Sequence, residues 1–438
     1  MDRRGLLKLL GAGGAGLLVP ATGAMAAGTA YYVSGTGDDG NDGLTPATAF
    51  RTLRKAADLT LPGDTVYAMN GDYVNTKQDH NVLTILRAGA SGAPITFRNY
   101  PGHKPRIVVA ANNWTGIKVC ASHIVVEGFE IAGNAANITY EYAYSQKDNK
   151  FNCATNANGI CVDGRKYGTL HHISIRANDV HHMPGAGIVV VAADYVGVNG
   201  NQAHSCSWWT VYGCSGISIY SSRDIDANTK AYKTIVRRNI CYDNETFIPT
   251  LSSGRIGDGN GIIIDDNKNT QQEGVPAYSG RTQVVNNLCY NNGGAGVQLY
   301  SSANVDCINN TNCFNNRSSI SDKGEISAID CTSARCYNNI LYARNAMPAQ
   351  YYKRNVNVEF DYNIYWNGTF VVKGPQDIVA DPRLANATVD PADADFRLMT
   401  GSPAIDSGMK KLAPREDIER NPRHYGSGID RGSYEYLA

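Results

Sequence analysis

Three aspartates and a lysine lie in one short segment of the sequence, residues 258–268. Asp265 and Asp266 are adjacent, Asp258 precedes them, and Lys268 follows. Carboxylates at this spacing suit two kinds of chemistry, which are the binding of Ca²⁺ through oxygen ligands and proton transfer during sugar cleavage. Adjacent acids at a strand end are as often a solvated turn. We treat all four residues as candidate catalytic groups, and Asp265 with Asp266 as a candidate calcium site.

Aromatic residues are expected beside Asp265, because Gly followed by alternating apolar residues recurs along the chain. The copies begin at Gly116, Gly159, Gly187, Gly216, Gly261 and Gly296. Side chains alternate between the faces of a strand, so the second and fourth residues after each Gly point outward. Tyr220, Asp265 and Tyr300 are fourth residues of consecutive copies, and Asp163 lies two copies before Tyr220, about 10 Å away. Rings beside a carboxylate suit a sugar site, with Tyr220 as a candidate base and Asp163 and Tyr300 as substrate contacts.

Other candidate residues lie at corners of the repeat or in its insertions. His204 could act as a general base near neutral pH, or be an exposed corner residue. Trp208 and Trp209 follow it closely and suit either a platform for sugar rings or a loop anchor. Arg223 and Arg281 could pair with a substrate carboxylate, although single arginines are more often solvated.

Asparagine recurs ahead of an apolar residue and then an aromatic residue or histidine. The copies begin at Asn178, Asn201, Asn239, Asn287, Asn339 and Asn363, with a weaker copy at Asn310. The shortest gaps between copies lie near 23 residues. Three short strands in such a period are typical of a solenoid. We therefore predict an all-β fold, a single right-handed parallel β-helix in which the asparagines form an inward ladder at one corner.

The ends of the chain depart from this repeat and predict caps. Residues 52–58 are the clearest helical segment. An open solenoid end exposes unpaired strand edges, which promote aggregation unless they are covered. We assign residues 27–75 to an N-terminal helical cap with the first coils, 76–375 to the β-helix, and 376–438 to a C-terminal segment that wraps back over the last coils.

The first residues, 1–26, have the pattern of an export signal. Arg3 and Arg4 begin a basic region, an apolar stretch follows, and residues 24–26 form a small-x-small cleavage site. The arginine pair followed by Gly-Leu-Leu-Lys resembles a bacterial twin-arginine signal, with an ordinary secretory signal as the alternative. We predict a periplasmic or secreted protein with no membrane anchor after signal cleavage.

Charge and cysteine content argue against two classes of site. The chain of 438 residues has 40 basic and 40 acidic side chains, so we expect no nucleic-acid partner that depends on phosphate neutralisation. Most of the 11 cysteines are interpreted as small buried side chains, with one or two loop disulfides and Cys331–Cys336 as a candidate pair. Their spacing does not predict a zinc site.

Both ends of the mature chain carry motifs of a known group. The stretch from Tyr31 to Phe50, Gly401-Ser-Pro-Ala-Ile-Asp-Ser-Gly and Asp430-Arg-Gly-Ser-Tyr-Glu-Tyr are similar to segments of bacterial exported β-helix proteins. That group includes pectate-lyase-like enzymes of polysaccharide lyase family 9. The resemblance covers nearly the whole mature chain and implies the same fold and an action on polysaccharide.

One coil permits a closer comparison with family 9. Gly257-Asp-Gly-Asn-Gly-Ile-Ile-Ile resembles the family coil Gly-Asp-Gly-Asn-Gly-Phe-Lys-Leu, in which the lysine is the catalytic base. Ile263 stands at the position of that lysine. Ser218 stands where the preceding coil of the family supplies a calcium-binding aspartate. The resemblance therefore carries over neither the lysine nor that calcium site.

These observations predict an extracytoplasmic enzyme whose partner is a polysaccharide, most simply an acidic one. The first hypothesis is a lyase that cleaves a uronate-containing glycan by β-elimination, which needs a cation at the carboxylate and a base beside it. One alternative is a β-helix glycoside hydrolase or epimerase that uses a pair of aspartates. The other is a carbohydrate-binding β-helix protein without catalysis.

Overall fold

The computed structural model describes residues 28–75, 77–78, 80–318 and 323–437, which coil into a three-sided parallel β-helix. Each full coil gives one strand to each of three sheets, which hold 11, 11 and 9 strands. The prediction of an all-β parallel β-helix is confirmed. The predicted export signal lies outside the described residues.

The three sheets are named A, B and C in the order in which a coil visits them. Sheet A contains, in spatial order, Ala30–Val33, Thr65–Ala68, Ile95–Asn99, Ile124–Glu127, Leu170–Arg176, Ala193–Asn199, Tyr232–Arg237, Arg281–Val285, Val305–Ile308, Thr332–Tyr337 and Val356–Asp361. Sheet B contains Gly71–Val74, Pro105–Val108, Glu130–Ala132, Asp179–His181, Gln202–His204, Ile240–Tyr242, Leu288–Tyr290, Thr311–Cys313, Ile340–Tyr342, Ile364–Trp366 and Ile378–Val379. Sheet C contains Leu83–Ile85, Thr115–Val119, Asn158–Asp163, Ile188–Val191, Ile217–Tyr220, Ile262–Asp265, Val297–Tyr300, Ile326–Ile329 and Gln350–Lys353.

Regular structure outside the three sheets is short. A two-stranded antiparallel hairpin pairs Leu384–Asn386 with Asp395–Leu398. The α-helices are Leu53–Ala57, Tyr140–Ser145 and Cys153–Asn156, and the 3₁₀ helices are Pro46–Thr48 and Ala135–Asn137. Among the described residues, no helix has the length and apolar character required to span a bilayer.

Alternation along each strand separates the core from the outer surface. In Ile262–Asp265, Ile262 and Ile264 are completely buried in the core. They stack on matching apolar residues of the coils on either side, since the parallel strands pair residue for residue. Full burial of such a side chain contributes about 1.5–3 kcal/mol. The intervening positions, Ile263 and Asp265, face outward, as the Gly-apolar pattern predicts.

The recurrent asparagines form a buried ladder at the corner between sheets A and B, as predicted. Asn239 Nδ2 donates to Asn287 Oδ1 at 2.9 Å and to the carbonyl of Val198 at 3.0 Å, and Asn239 N donates to the same Oδ1 at 3.0 Å. Each rung thus satisfies buried polar groups of two neighbouring coils. The ladder comprises Asn178, Asn201, Asn239, Asn287, Asn310, Asn339 and Asn363, and it ends on Asp377.

The residue before each ladder asparagine has left-handed backbone geometry. Arg238 has φ +54°, and Asn286 and Asn338 have +54° and +58°. This conformation costs roughly 1–2 kcal/mol for a residue with a Cβ. It turns the chain sharply into sheet B, and the ladder hydrogen bonds that follow offset its cost.

A second, shorter ladder runs along the corner where the chain leaves sheet B toward sheet C. Asn244, Asn292 and Asn315 repeat the same amide-to-amide contacts at 2.9 and 2.7 Å. Its last member is the carboxyl of Glu325, which accepts hydrogen bonds from Asn315. Burial raises the pKa of Glu325 to about 8. The sequence interpretation did not identify this ladder.

The two ends of the solenoid are covered differently. The helix Leu53–Ala57 is capped by Thr52, whose side chain accepts a hydrogen bond from Lys55 N at 3.2 Å, and its apolar face joins the core of the first coils. The C-terminal segment returns along the corner between sheets A and B. There the buried Arg423 donates to Asn286 Oδ1 at 2.7 Å. The segment therefore covers several coils and leaves the outer face of sheet C free.

All 11 cysteines lie among the described residues, where they are buried and form no disulfide, so the expectation of one or two disulfides is wrong for this structure. Cys331 Sγ instead donates to the carbonyls of Leu299 and Ile329, both at 3.3 Å. Cys336 is the register partner of Cys307 in sheet A. The interpretation of most cysteines as small core side chains agrees with their burial.

Candidate active site

A cavity of about 520 Å³ opens on the outer face of sheet C. Its floor consists of the outward residues of three neighbouring strands, namely Ser218, Tyr220, Ile263, Asp265, Gln298 and Tyr300. Loops 205–216 and 243–261 rise where the chain enters sheet C, and loop 266–280 rises where it leaves. These are the insertions that lengthen the repeat.

A second cavity of about 420 Å³ adjoins the first. Arg165, Val189, Val191 and Tyr212 line both cavities. Together they form one cleft that runs along the solenoid across several coils. This shape suits an extended ligand better than a single small molecule.

Asp265 lies in the middle of the larger cavity. Its register partners are Tyr220 in one neighbouring strand and Tyr300 in the other, as the repeat predicts. Its Oδ1 is buried and has no hydrogen-bond partner among the described residues. Burial raises the pKa of Asp265 to about 8, reinforced by the charges of Asp258 and Asp266. The group therefore holds a proton at neutral pH and loses it in mildly alkaline solution.

Lys323 brings a positive charge to the same cavity. Its Nζ lies 3.2 Å from Asp258 Oδ1 and 2.8 Å from Gln298 Oε1. Gln298 is the register partner of Ile263. Because Lys323 contacts Gln298, this loop lysine lies beside the row of outward side chains that contains Ile263. The charge of Lys323 opposes the rise in the pKa of Asp265.

The two tyrosines beside Asp265 remain hydrogen-bond donors over a wide pH range. Burial raises the pKa of both Tyr220 and Tyr300 above the usual phenol value. Gln272 Nε2 donates to the Tyr220 hydroxyl oxygen at 2.6 Å and fixes the ring. The phenols can therefore donate a proton or a hydrogen bond to a ligand oxygen next to Asp265.

The smaller cavity is lined by a cluster of charges around Asp163. Arg165 donates to both carboxylate oxygens at 2.9 Å, and Lys118 Nζ lies 3.3 Å from Oδ2. Burial alone would raise the pKa of Asp163, but the hydrogen bonds from Arg165 and the charge of Lys118 lower it to about 2. Two cations share one carboxylate, which leaves positive charge for an anionic ligand.

Asp266 was predicted to share the role of Asp265, but its carboxylate belongs to a turn. Asp266 is completely buried, and Oδ1 accepts hydrogen bonds from Thr270 N at 2.8 Å and Thr270 Oγ1 at 2.7 Å. Oδ2 accepts from Gln271 N at 2.9 Å. Asp266 thus shapes the loop that presents Gln271 to the cavity; its carboxylate makes turn hydrogen bonds, as in the alternative that the sequence left open, but it is buried and not solvated.

The aspartates do not offer the donor set of a calcium site. Ca²⁺ takes six to eight oxygen ligands. Both oxygens of Asp266 are held by the turn, and Asp258 is paired with a lysine, whose charge repels a cation. Of the three carboxylates, Asp265 alone has a buried oxygen without a hydrogen-bond partner within the described part of the chain. Calcium binding stays a prediction, and no step of the chemistry is derived through it.

Two predicted catalytic residues lie away from the cleft. His204 is on sheet B, stacked between the rings of His181 at 5.1 Å and Tyr242 at 4.5 Å. This stack lies on another face of the solenoid from Asp265. Lys268 donates to the carbonyl of Asp330 at 2.8 Å and lines neither cavity.

The tryptophan pair anchors loops and does not line either cavity. Trp208 Nε1 donates to the carbonyl of Asp243 at 3.3 Å, and Trp209 Nε1 donates to that of Ala135 at 2.8 Å. Trp209 is buried among apolar residues of three loops, including Val211. The structure thus matches the loop-anchor alternative, because the rings are covered by protein.

The two predicted arginines also lie outside both cavities. Arg281 is in sheet A, where it pairs with Asp306 and packs on the ring of Tyr232 at 5.1 Å. Arg223 follows the strand Ile217–Tyr220, and its backbone N–H donates to the carbonyl of Ala193 at 3.3 Å. Neither residue lines the cavities on sheet C.

Four cleft residues were not among the predicted site residues. Lys118 is the second, outward residue after Gly116, so the Gly-apolar pattern could have identified it. Arg165, Tyr212 and Lys323 lie on loops, where no period fixes their direction. They were therefore beyond what the spacing of the sequence could show.

Comparisons with known proteins agree with this architecture. Among solved structures, the chain is similar to pectate lyase Pel9A, with a TM-score of 0.54 and 14% identity over 93% of this chain and 96% of that chain. It also resembles a rhamnogalacturonan lyase, with a TM-score of 0.45 and 15% identity over 82% of this chain and 91% of that chain. At these identities the likeness concerns the fold alone.

Sequence comparison gives one short and one long match. An uncharacterised protein of Bacillus subtilis (strain 168), YwoF, is 42% identical over 69 residues, which is 16% of this chain and 13% of that protein. A family model described as a Pel9A-like, right-handed β-helix region matches residues 31–333. Because that match takes in well over half of the chain, the protein belongs to the family with a Pel9A-like right-handed β-helix region.

Proposed function

We propose that the protein is an extracytoplasmic enzyme that cleaves an acidic polysaccharide by β-elimination in the cleft on sheet C. One observation carries the proposal above all others. Asp265 has a free oxygen and a pKa near 8, and it lies between two tyrosines in a cavity that also holds Lys323. The family membership, the likeness to Pel9A and the predicted export signal support the class of substrate and the location.

The charges of the cleft favour a uronate-containing glycan. Lys118, Arg165 and Lys323 face the cleft, and among the described carboxylates only Asp163 and Asp258 pair with them. Asp265 is neutral below pH 8, so the cleft has a surplus of positive charge at neutral pH. A carboxylate of the sugar can take the place of Asp258 or Gln298 at Lys323 and so be neutralised.

The chemistry needs a base, a cation and a proton donor. Asp265 in its ionised form removes the proton from the carbon beside the sugar carboxylate, whose charge Lys323 stabilises. The electron pair forms a carbon–carbon double bond and expels the glycosidic oxygen. Tyr220 or Tyr300 gives that oxygen a proton. A carboxylate with a pKa near 8 is a stronger base than an ordinary one and suits a slow proton transfer from carbon.

A glycoside hydrolase is the second candidate, and a specific observation favours it. Asp258 and Asp265 line the same cavity, and the charge of Asp258 adds to the rise in the pKa of Asp265. One carboxyl with a raised pKa beside another carboxylate is the arrangement of a general acid with its partner. In this reaction Asp265 acts as the protonated acid. An epimerase would use the same base as the lyase and return the proton on the opposite face of the sugar.

The test is ultraviolet absorbance while the purified protein is mixed with pectate, alginate, glucuronan or a glycosaminoglycan. Rising absorbance on one of them reports the unsaturated uronate that elimination makes, and the Asp265→Asn variant should give none. New reducing ends without absorbance would instead support the hydrolase. Binding without either product would leave a carbohydrate-binding β-helix protein and reject the catalytic proposal.

A further inference from the structure

Three histidines converge at the corner where the chain passes from sheet C to sheet A. His123 precedes the strand Ile124–Glu127, and His171 with His172 lies in the next strand of sheet A. One ring nitrogen from each side chain lies within 4.8 Å of the other two. None of the three lines either cavity of the cleft.

Backbone geometry brings the rings together. His123 and His172 both adopt left-handed conformations, with φ +57° and +55°, and their rings stack at 4.8 Å. The ring of His171 stands edge-on to both, at 5.0 and 5.1 Å. Tyr195 of the following coil stacks on His172 at 4.8 Å and holds that ring from the other side.

The ring nitrogens of these three histidines are suited to binding a metal ion. Burial, followed by the nearby histidines, lowers the pKa of His123, and burial and His172 lower that of His171. A neutral imidazole keeps one lone pair on a ring nitrogen. His171 Nδ1 and His172 Nδ1 lie 2.9 Å apart, so they share one hydrogen. The ring that donates this hydrogen can carry it on Nε2 instead. The lone pair of its Nδ1 is then free to bind a metal ion.

We propose that His123, His171 and His172 form a binding site for a divalent transition-metal ion such as Zn²⁺ or Cu²⁺. Imidazole is a preferred ligand of both ions, and the group contains no carboxylate that would favour Ca²⁺ or Mg²⁺. Nitrogens bound at 2.0–2.1 Å around one tetrahedral ion lie about 3.3 Å apart. Small ring rotations reach that geometry, and solvent completes the coordination because His172 is exposed.

The ion would join two neighbouring coils. His123 belongs to the coil that contains Ile124–Glu127, and the other two histidines belong to the next coil of sheet A. A ligand that binds the folded chain stabilises it by mass action. The site therefore acts as a clamp on the sheet, separate from the chemistry of the cleft.

The experiment is calorimetric titration of the purified, untagged chain with Zn²⁺, and separately with Cu²⁺. One ion per chain should bind, and His123→Ala or His172→Ala should weaken binding at least tenfold. The control is His181→Ala, because His181 and His182 form a second pair with their Nδ1 atoms 2.8 Å apart. That pair is not part of a group of three ligands among the described residues. Unchanged stoichiometry and affinity in His172→Ala would overturn the proposal.

Thermal melting gives an independent measurement on the same proteins. Zn²⁺ should raise the melting temperature of the parent chain and of His181→Ala, but not that of His172→Ala. Circular dichroism without metal shows whether each variant is folded, and His172→Gln replaces any variant that is not. Equal metal-induced shifts in all variants would show that the ion binds elsewhere and would reject the site.

Discussion

The protonation state of Asp265 is set by its burial and by the charges around it. Because the carboxyl is half-buried beside Asp258, its pKa rises to about 8. A base must be ionised to act, so elimination should rise with pH, reach half its maximum near pH 8 and level off above that. If Asp265 instead acts as the acid of a hydrolase, the rate should fall through the same range. The pH profile of kcat/KM therefore distinguishes the two mechanisms.

Replacement of Asp265 tests its role directly. Asp265→Asn keeps the shape of the side chain but cannot take up a proton, and we expect activity to fall by about 10²–10⁴-fold. Asp330→Asn is the control, because Asp330 directly follows a strand of sheet C, whereas Asp265 ends one, and Asp330 lines neither cavity. Product formation under substrate saturation is the measurement. Full activity in a folded Asp265→Asn protein would place the chemistry elsewhere in the cleft.

Lys323 is expected to affect both the substrate and Asp265. Lys323→Gln removes the cation that faces the sugar carboxylate, so kcat/KM should fall by at least tenfold. The same change removes the charge that lowers the pKa of Asp265, so the rising limb of the pH profile should move to higher pH. Lys268→Gln is the control, since Lys268 binds the backbone of Asp330 outside the cleft. A lower rate with an unmoved pH profile would contradict the coupling between Lys323 and Asp265.

At the scale of elements, the asparagine ladder joins successive coils through buried hydrogen bonds. Asn287 accepts from Asn239 N at 3.0 Å and Nδ2 at 2.9 Å, and donates to the carbonyl of Val236 at 3.0 Å and to Asn310 Oδ1 at 2.9 Å. Asn287→Ala leaves these partners buried without hydrogen bonds, and each unsatisfied group costs about 1–3 kcal/mol. We expect the free energy of unfolding to fall by about 3 kcal/mol or more.

Urea denaturation of Asn287→Ala measures this loss. Gln202→Ala is the control, because Gln202 lies two coils away with an exposed side chain and should change stability by less than about 0.5 kcal/mol. An equal effect of the two substitutions would mean that water or local rearrangement replaces the ladder contacts.

These elements also show what the sequence could and could not predict. Periodic features follow from local rules, so the ladder and the row that contains Tyr220, Asp265 and Tyr300 were predictable from spacing alone. Lys323 and Arg165 reach the cleft from loops, whose paths depend on tertiary packing and not on a period. Composition also cannot show whether a tryptophan pair such as Trp208 and Trp209 binds sugar rings or anchors a loop. Both roles use the same side chains, and they differ only in how far the rings are buried.

At the scale of the whole molecule, the three faces of the solenoid have different surroundings. The C-terminal segment packs on the corner between sheets A and B, with Arg423 bound to Asn286 and Asn309 bound to the carbonyl of Asp430 at 2.7 Å. Sheet C instead has insertions along both edges and an open outer face. A groove of this form can hold several sugar units side by side, with the reacting bond over Asp265 and further units toward Asp163.

The length of the groove leads to a prediction about substrate size. Lys118 lines only the smaller cavity, whereas Arg165 lines both. A long acidic chain that occupies both cavities should contact Lys118, and a short one bound over Asp265 should not. Lys118→Gln should therefore raise KM for long oligosaccharides by about three- to tenfold, with little change in kcat and little effect on the shortest substrates.

Kinetics on a size series of the substrate identified by absorbance would measure this difference. Arg281→Gln is the control, because it also removes a partly exposed cation but from sheet A. High salt should weaken the binding of long substrates more than of short ones, since it screens the additional charge contacts. An equal rise in KM for every length would mean that Lys118 acts over the reacting sugar. The cleaved bond would then lie nearer to Asp163 than to Asp265.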